Sequence, residues 1–110
     1  MNLIKEKKQV FNDLRIPWNK EIEQTFKREK KNSVDPQHTL DRICKPYLEY
    51  ALEHEAETYH AWLKEKHGDN TIRRAVIKRE IGEENFYLLF REGLIERVPH
   101  SKEYYILKGK

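Results

Sequence analysis

Apolar residues recur at three- and four-residue intervals through the middle of the chain: Leu40, Ile43, Cys44, Tyr47, Leu48, Ala51, Leu52, Tyr59, Trp62 and Leu63. That spacing marks one face of an α-helix, with Glu55 as its polar interruption. Asp35-Pro36 suits a helix start, the aspartate as cap and the proline in the first helical position. Pro46 lies inside the pattern and lacks a backbone donor. The stretch therefore predicts a short helix at 36–44 and a longer one at 46–66, or one kinked helix. Gly68 ends it, after Lys64, Lys66 and His67. Upstream, Val10, Phe11 and Leu14 share a face within 2–14. Asn19 is an expected N-cap for a helix over 19–31, whose apolar face is thin, Ile22 and Phe26 only.

Beyond Gly68 the pattern changes. Asp69-Asn70 is placed to cap a helix TIRRAVIKREI whose inner side is Ile72, Ala75, Val76 and Ile81. Gly82 allows a sharp turn into a helix at Glu83–Glu92 that buries Phe86, Leu89 and Phe90. Gly93 ends that helix. Leu94–Val98 and Glu103–Leu107 then alternate as the two strands of a hairpin around Pro99–Lys102.

Charge modifies this picture modestly. The net charge is +3, but residues 1–31 hold nine Lys/Arg against five acids, 32–67 hold four against seven, and 68–110 nine against seven. Basic ends around an acidic middle suit approach to a polyanion, and equally a solvated helical surface. With 37% charged residues the surface is extensive. A single cysteine, Cys44, gives no intramolecular disulfide, and the N-terminus has no apolar leader. No run approaches the length of a membrane span. A cytoplasmic protein without membrane association is the expectation.

Two short helices joined at a glycine, followed by a Gly-Leu-Ile exit into a charged hairpin, resemble the winged helix-turn-helix superfamily. The resemblance is carried by IKREIGEENFYLLFREGLIERVPHSKEYYIL, with Leu48–His67 as supporting helix. It implies a mainly α-helical fold with a C-terminal β-hairpin, a helical extension at 1–45 preceding a winged-helix-like domain at 46–110. It also implies a non-enzymatic regulator of transcription binding double-stranded DNA. In that arrangement the Glu83–Glu92 helix lies in a major groove and the Pro99–Lys102 turn touches flanking backbone. The candidate DNA-binding residues are Arg73, Arg74, Lys78, Arg91, Arg97, His100 and Lys102.

The helix at 83–92 tempers that expectation. A spacing of 100° per residue puts Glu84, Tyr87, Leu88 and Arg91 outward. Arg91 suits guanine, but Glu83 and Glu84 repel phosphate, and an exposed Tyr87-Leu88 pair suits a protein partner. A protein-interaction adaptor using Tyr87 and Leu88 is the alternative reading. The narrow faces of the helices at 2–14 and 19–31 are completed either by a second copy, as a homodimer, or by folding back on the 46–66 helix. Lys5, Lys7, Lys8, Lys27, Arg28, Lys30 and Lys31 offer phosphate contacts from this segment. Glu57-x-x-His60 occurs once, where a di-iron bundle needs two copies. No cofactor, metal site or catalytic constellation is expected.

Overall fold

The computed structural model describes residues 2–108 and divides the chain into two compact units that meet at the Glu53–His54 bond. It is mainly helical, with a small antiparallel sheet near the C-terminus. No helix among the described residues is long and apolar enough to cross a membrane.

The first unit contains α1 (Leu3–Asp13), α2 (Lys20–Glu29), a 3-10 turn (Lys30–Asn32) and α3 (Pro36–Glu53). Side-chain caps set its helix starts. Asn2 accepts from Lys5 N (3.0 Å), Asn19 from Glu21 N (2.8 Å) and Asp35 from Gln37 N (3.2 Å), each satisfying a backbone donor that the helix leaves over. The core is Phe11, Ile22, Phe26, Leu40 and Cys44. Trp18 closes it, its ring edge-on to Phe11 at 5.1 Å. Phe11, Ile22 and Phe26 thus pack on the stripe of α3 within this unit, while Val10 and Leu14 of α1 remain 42% and 52% exposed. Helix α3 runs through Pro46 without ending and stops at Glu53. The break expected near residue 45 falls at His54 instead. No glycine or proline stands there; the His54 carbonyl starts the next helix by accepting from Thr58 N (3.0 Å) and Thr58 Oγ1 (2.8 Å).

The second unit contains α4 (Glu55–His67), β1 (Ile72–Arg73), α5 (Arg74–Ile81), α6 (Glu83–Arg91), β2 (Ile95–Arg97) and β3 (Tyr104–Leu107). The strands lie side by side in the order β1-β3-β2, all antiparallel. Trp62 and Leu63 from α4, Ile77 and Ile81 from α5, Phe86 and Leu89 from α6, and Ile72, Ile95 and Tyr105 from the sheet form one core. Gly68 ends α4 at φ 65°, and Gly82 turns α5 into α6 at φ 90°, a conformation open to glycine and strained for other residues. His67 Nε2 lies 3.0 Å and Lys66 Nζ 3.5 Å from the Glu80 carboxylate, tying the end of α4 to α5.

Two expectations change here. Asp69-Asn70 does not cap α5: the chain first extends through Ile72-Arg73, which pair with Tyr105 and Tyr104, and the helix begins at Arg74. The hairpin is therefore a three-stranded sheet. Phe90 is not in the core but 52% exposed, whereas Leu88, expected outward, packs half-buried against the core. Helical spacing alone does not give this order, since Phe90 lies nearer than Leu88 to the Phe86–Leu89 side of the wheel. Leu88 is covered by the surrounding core, whereas the Phe90 ring only edges Tyr105.

Candidate nucleic-acid interface

The start of α5 differs from every other helix start in the second unit. α4 opens with Glu55 and Glu57 in its first turn and α6 with Glu83 and Glu84, where the helix dipole favours anions. Like them, α5 has no side-chain cap, but it has no acid in its first turn either. Arg73 and Arg74 occupy its N-cap and first position instead. The backbone N–H of Arg74 donates to the Glu103 carbonyl (2.6 Å), which fixes this helix start to the foot of the hairpin. The next backbone donors of α5 and two guanidinium groups therefore share one end of a helix, an arrangement that attracts an anion.

Arg73 and Arg74 play different parts. Arg73 Nε donates to the Tyr104 hydroxyl (3.1 Å) and its guanidinium lies 5.6 Å from that ring's centroid. The hydrogen bond it donates to Tyr104 and the nearby Glu103 charge hold Arg73 more firmly protonated than an ordinary arginine. Arg74 is exposed at the helix start.

The hairpin turn is tightly bonded. Val98 N donates to Tyr104 O (2.9 Å), Ser101 N to Val98 O (3.1 Å), and Ser101 Oγ accepts from Glu103 N and Tyr104 N at 3.2 and 3.1 Å. His100 adopts φ 64°, left-handed for a non-glycine residue, and both His100 and Lys102 are exposed at the turn. Arg97 pairs in register with Tyr105 and Arg73 with Tyr104. Consecutive residues of β3 face opposite ways, so Arg73 and Arg97 lie on opposite faces of the sheet. Arg97 lines a groove of about 440 Å³ with Phe90, Ile95, Glu96 and Tyr105, on the side where α6 packs.

The remaining candidates scatter. Lys78 Nζ is 3.5 Å from Glu83 and lies 5.3 and 5.2 Å over the rings of Phe86 and Tyr87, so it belongs to the α5–α6 corner. Arg91 is exposed in the last residue of α6, the end opposite Glu83 and Glu84. Tyr87 is 53% exposed, while Leu88 is held against the core. The structure thus associates Arg73 and Arg74 with the hairpin foot and puts Arg97 beside α6, and leaves Lys78 engaged elsewhere. Missing from the sequence reading was the helix start at Arg74. The signal for it was the β-branched pair Thr71-Ile72, which favours extension over helix just before the arginines.

Among the described residues no three His, Cys, Asp or Glu side chains gather as a metal would need. Cys44 is buried in the first unit, and burial pushes its thiol up, away from the reactive thiolate. Comparison with protein-family models, with curated proteins and with solved structures returned no match to this chain.

Proposed function

We propose that residues 54–108 form a winged helix-turn-helix module of a non-enzymatic regulatory protein that binds double-stranded DNA. The observation that carries this reading is the uncapped, acid-free start of α5, with Arg73 and Arg74 placed where the helix dipole disfavours cations. Such a placement costs stability unless an anion arrives, and a backbone phosphate supplies one. Lys102, exposed beside His100 at the hairpin turn, adds charge near it, while Arg97 and Arg91 lie along α6, away from this helix start. The element order supports the same reading. A helix, a short strand, two helices joined at Gly82 and a hairpin whose last strand returns to pair with the first give the hairpin a fixed attachment to the helix pair, as a wing requires.

Glu83 and Glu84 keep this from being a tight base-reading helix. Contacts of the proposed kind go mainly to phosphates, so affinity should fall steeply with salt and depend little on sequence. Fluorescence anisotropy of a labelled random duplex, titrated at two salt concentrations, tests it. Arg74→Ala with Lys102→Ala should weaken binding severalfold at low salt and flatten the salt dependence. A duplex left untouched by micromolar protein at low salt would overturn the reading.

A second reading has its own observation. Tyr87 and Phe90, three residues apart on α6, are each about half exposed, at 53% and 52%. Aromatic side chains on the outer face of a helix, beside a groove, fit a protein partner better than a duplex. Tyr87→Ala should abolish such binding and leave duplex affinity unchanged.

A further inference from the structure

The first unit carries an open groove of about 910 Å³ between α1 and α2 that the DNA reading does not use. Its floor is apolar: Leu3 and Ile4 half-buried, Phe26 almost wholly so, and Pro36 at one end. Its rim is basic. Lys5 and Lys8 stand one turn apart on α1, and Lys27 and Lys30 one turn apart along the end of α2 and the 3-10 turn after it. Glu23 is the one carboxylate in this lining, and it is already engaged. Trp18 Nε1 donates to it at 3.2 Å and Lys8 Nζ lies 3.5 Å away. With Lys8 set against Glu23, the exposed Lys5, Lys27 and Lys30 leave the groove positive.

We propose that this groove is the docking site for an acidic amphipathic helix of a partner protein. Such a helix lays its apolar face on the Leu3, Ile4 and Phe26 floor, and carboxylates three or four residues apart meet the lysine pairs, which repeat at the same spacing. A duplex satisfies only half of this arrangement. It offers phosphates to the lysines but no apolar surface to the floor. The single aromatic ring of the floor is too buried for a base to stack on, with Phe26 5% exposed and Lys30 Nζ 5.8 Å from its centroid.

The test uses the full chain, ¹⁵N-labelled, and a synthetic Leu/Glu amphipathic helix, with a matched peptide carrying Gln for every Glu. Binding of the acidic peptide should shift the amides of Leu3, Ile4, Phe26 and Lys27. Lys27→Gln with Lys30→Gln, both exposed and outside the core, should weaken it about tenfold, the loss of two charge-assisted contacts. The Gln peptide should bind as weakly. Equal affinity in the double variant, or shifts confined to α5, α6 and the hairpin, would overturn the proposal. So would a random duplex moving the groove amides while the peptide does not. Sedimentation showing that the double variant abolishes self-association of the chain would assign the groove to a second copy and overturn it too.

Discussion

Arg73 on β1 and Tyr104 on β3 are cross-strand neighbours whose side chains meet twice, through the 3.1 Å Nε–hydroxyl hydrogen bond and through the guanidinium held over the ring. One contact therefore joins the start of α5 to the hairpin. Tyr104→Phe keeps the ring and removes the acceptor. If Arg73 helps hold a phosphate, freeing its guanidinium should lower duplex affinity a fewfold while the fold is retained. Arg73→Ala should lower it further. Anisotropy beside circular dichroism separates the two effects. Unchanged affinity in both variants would confine Arg73 to anchoring the hairpin.

Adjacent residues of α6 provide a sharper contrast. Leu89 is fully buried and Phe90 is 52% exposed. Leu89→Ala should destabilise the chain by about 2–5 kcal/mol, the usual range for a truncated core leucine. Phe90→Ala should cost well under half of that, since its ring only edges Tyr105 at 6.2 Å. Denaturant midpoints of the two variants check the difference, and comparable losses would place Phe90 in the core beside Leu89, as the sequence pattern predicts.

That pattern was legible in its outline and ambiguous in its phase. Phe86, Leu88, Leu89 and Phe90 are all apolar, and an arc that wide leaves open which edge faces inward. Only packing against α4, α5 and the sheet decides it. The glycines were clearer, because Gly68, Gly82 and Gly93 sit at positive φ where the turns need them. The caps at Asn19 and Asp35 were equally readable, being local hydrogen bonds. The strand at Ile72-Arg73 was not. Two residues carry no period, and their partners on β3, Tyr105 and Tyr104, lie far along the chain. Without that strand, the sequence pattern makes the arginines ordinary members of a helix rather than its start.

Gly82 isolates a backbone effect. A Cβ placed there would meet no atom within 4 Å, so space is not the obstacle. At φ 90° and ψ 158° the conformation itself is open essentially to glycine alone. Gly82→Ala should therefore destabilise the chain by about 1–3 kcal/mol with no steric clash, measured as a lower denaturant midpoint at unchanged slope. A neutral result would mean that the α5–α6 turn relaxes to another conformation.

Acid should weaken the first unit in a defined way. The Trp18 indole N–H, together with Lys8, holds the Glu23 carboxyl below its ordinary value, and the Lys7 ammonium does the same for Asp41 at 2.7 Å. A depressed carboxylate stabilises the fold above its unfolded value, near 4.5 for Glu and 3.8 for Asp, and loses that contribution as pH falls through the lowered folded value. Glu23→Gln should therefore be less stable than the parent at pH 7, and the two should converge in strong acid. Thermal melts from pH 7 to 2 follow this. Parallel curves would show that Glu23 contributes nothing that depends on its charge.

The last expectation concerns the charges that oppose the proposed function. Glu84 is exposed in the first turn of α6, where it favours the helix by the dipole and repels a phosphate backbone. Glu83 beside it is partly offset by Lys78 at 3.5 Å, so Glu84 is the cleaner probe. If α6 approaches a duplex alongside the Arg74 helix start, Glu84→Gln should raise random-duplex affinity severalfold at low ionic strength. The gain should shrink as salt screens the lost repulsion, because exposed charges act over about 10 Å at 0.1 M salt. Titrations of both proteins at two salt concentrations measure it. An affinity indifferent to Glu84 but still sensitive to Arg74 and Lys102 would keep the phosphate at the start of α5 and take α6 away from the duplex. Its Tyr87 and Phe90 face would then be left to a protein partner.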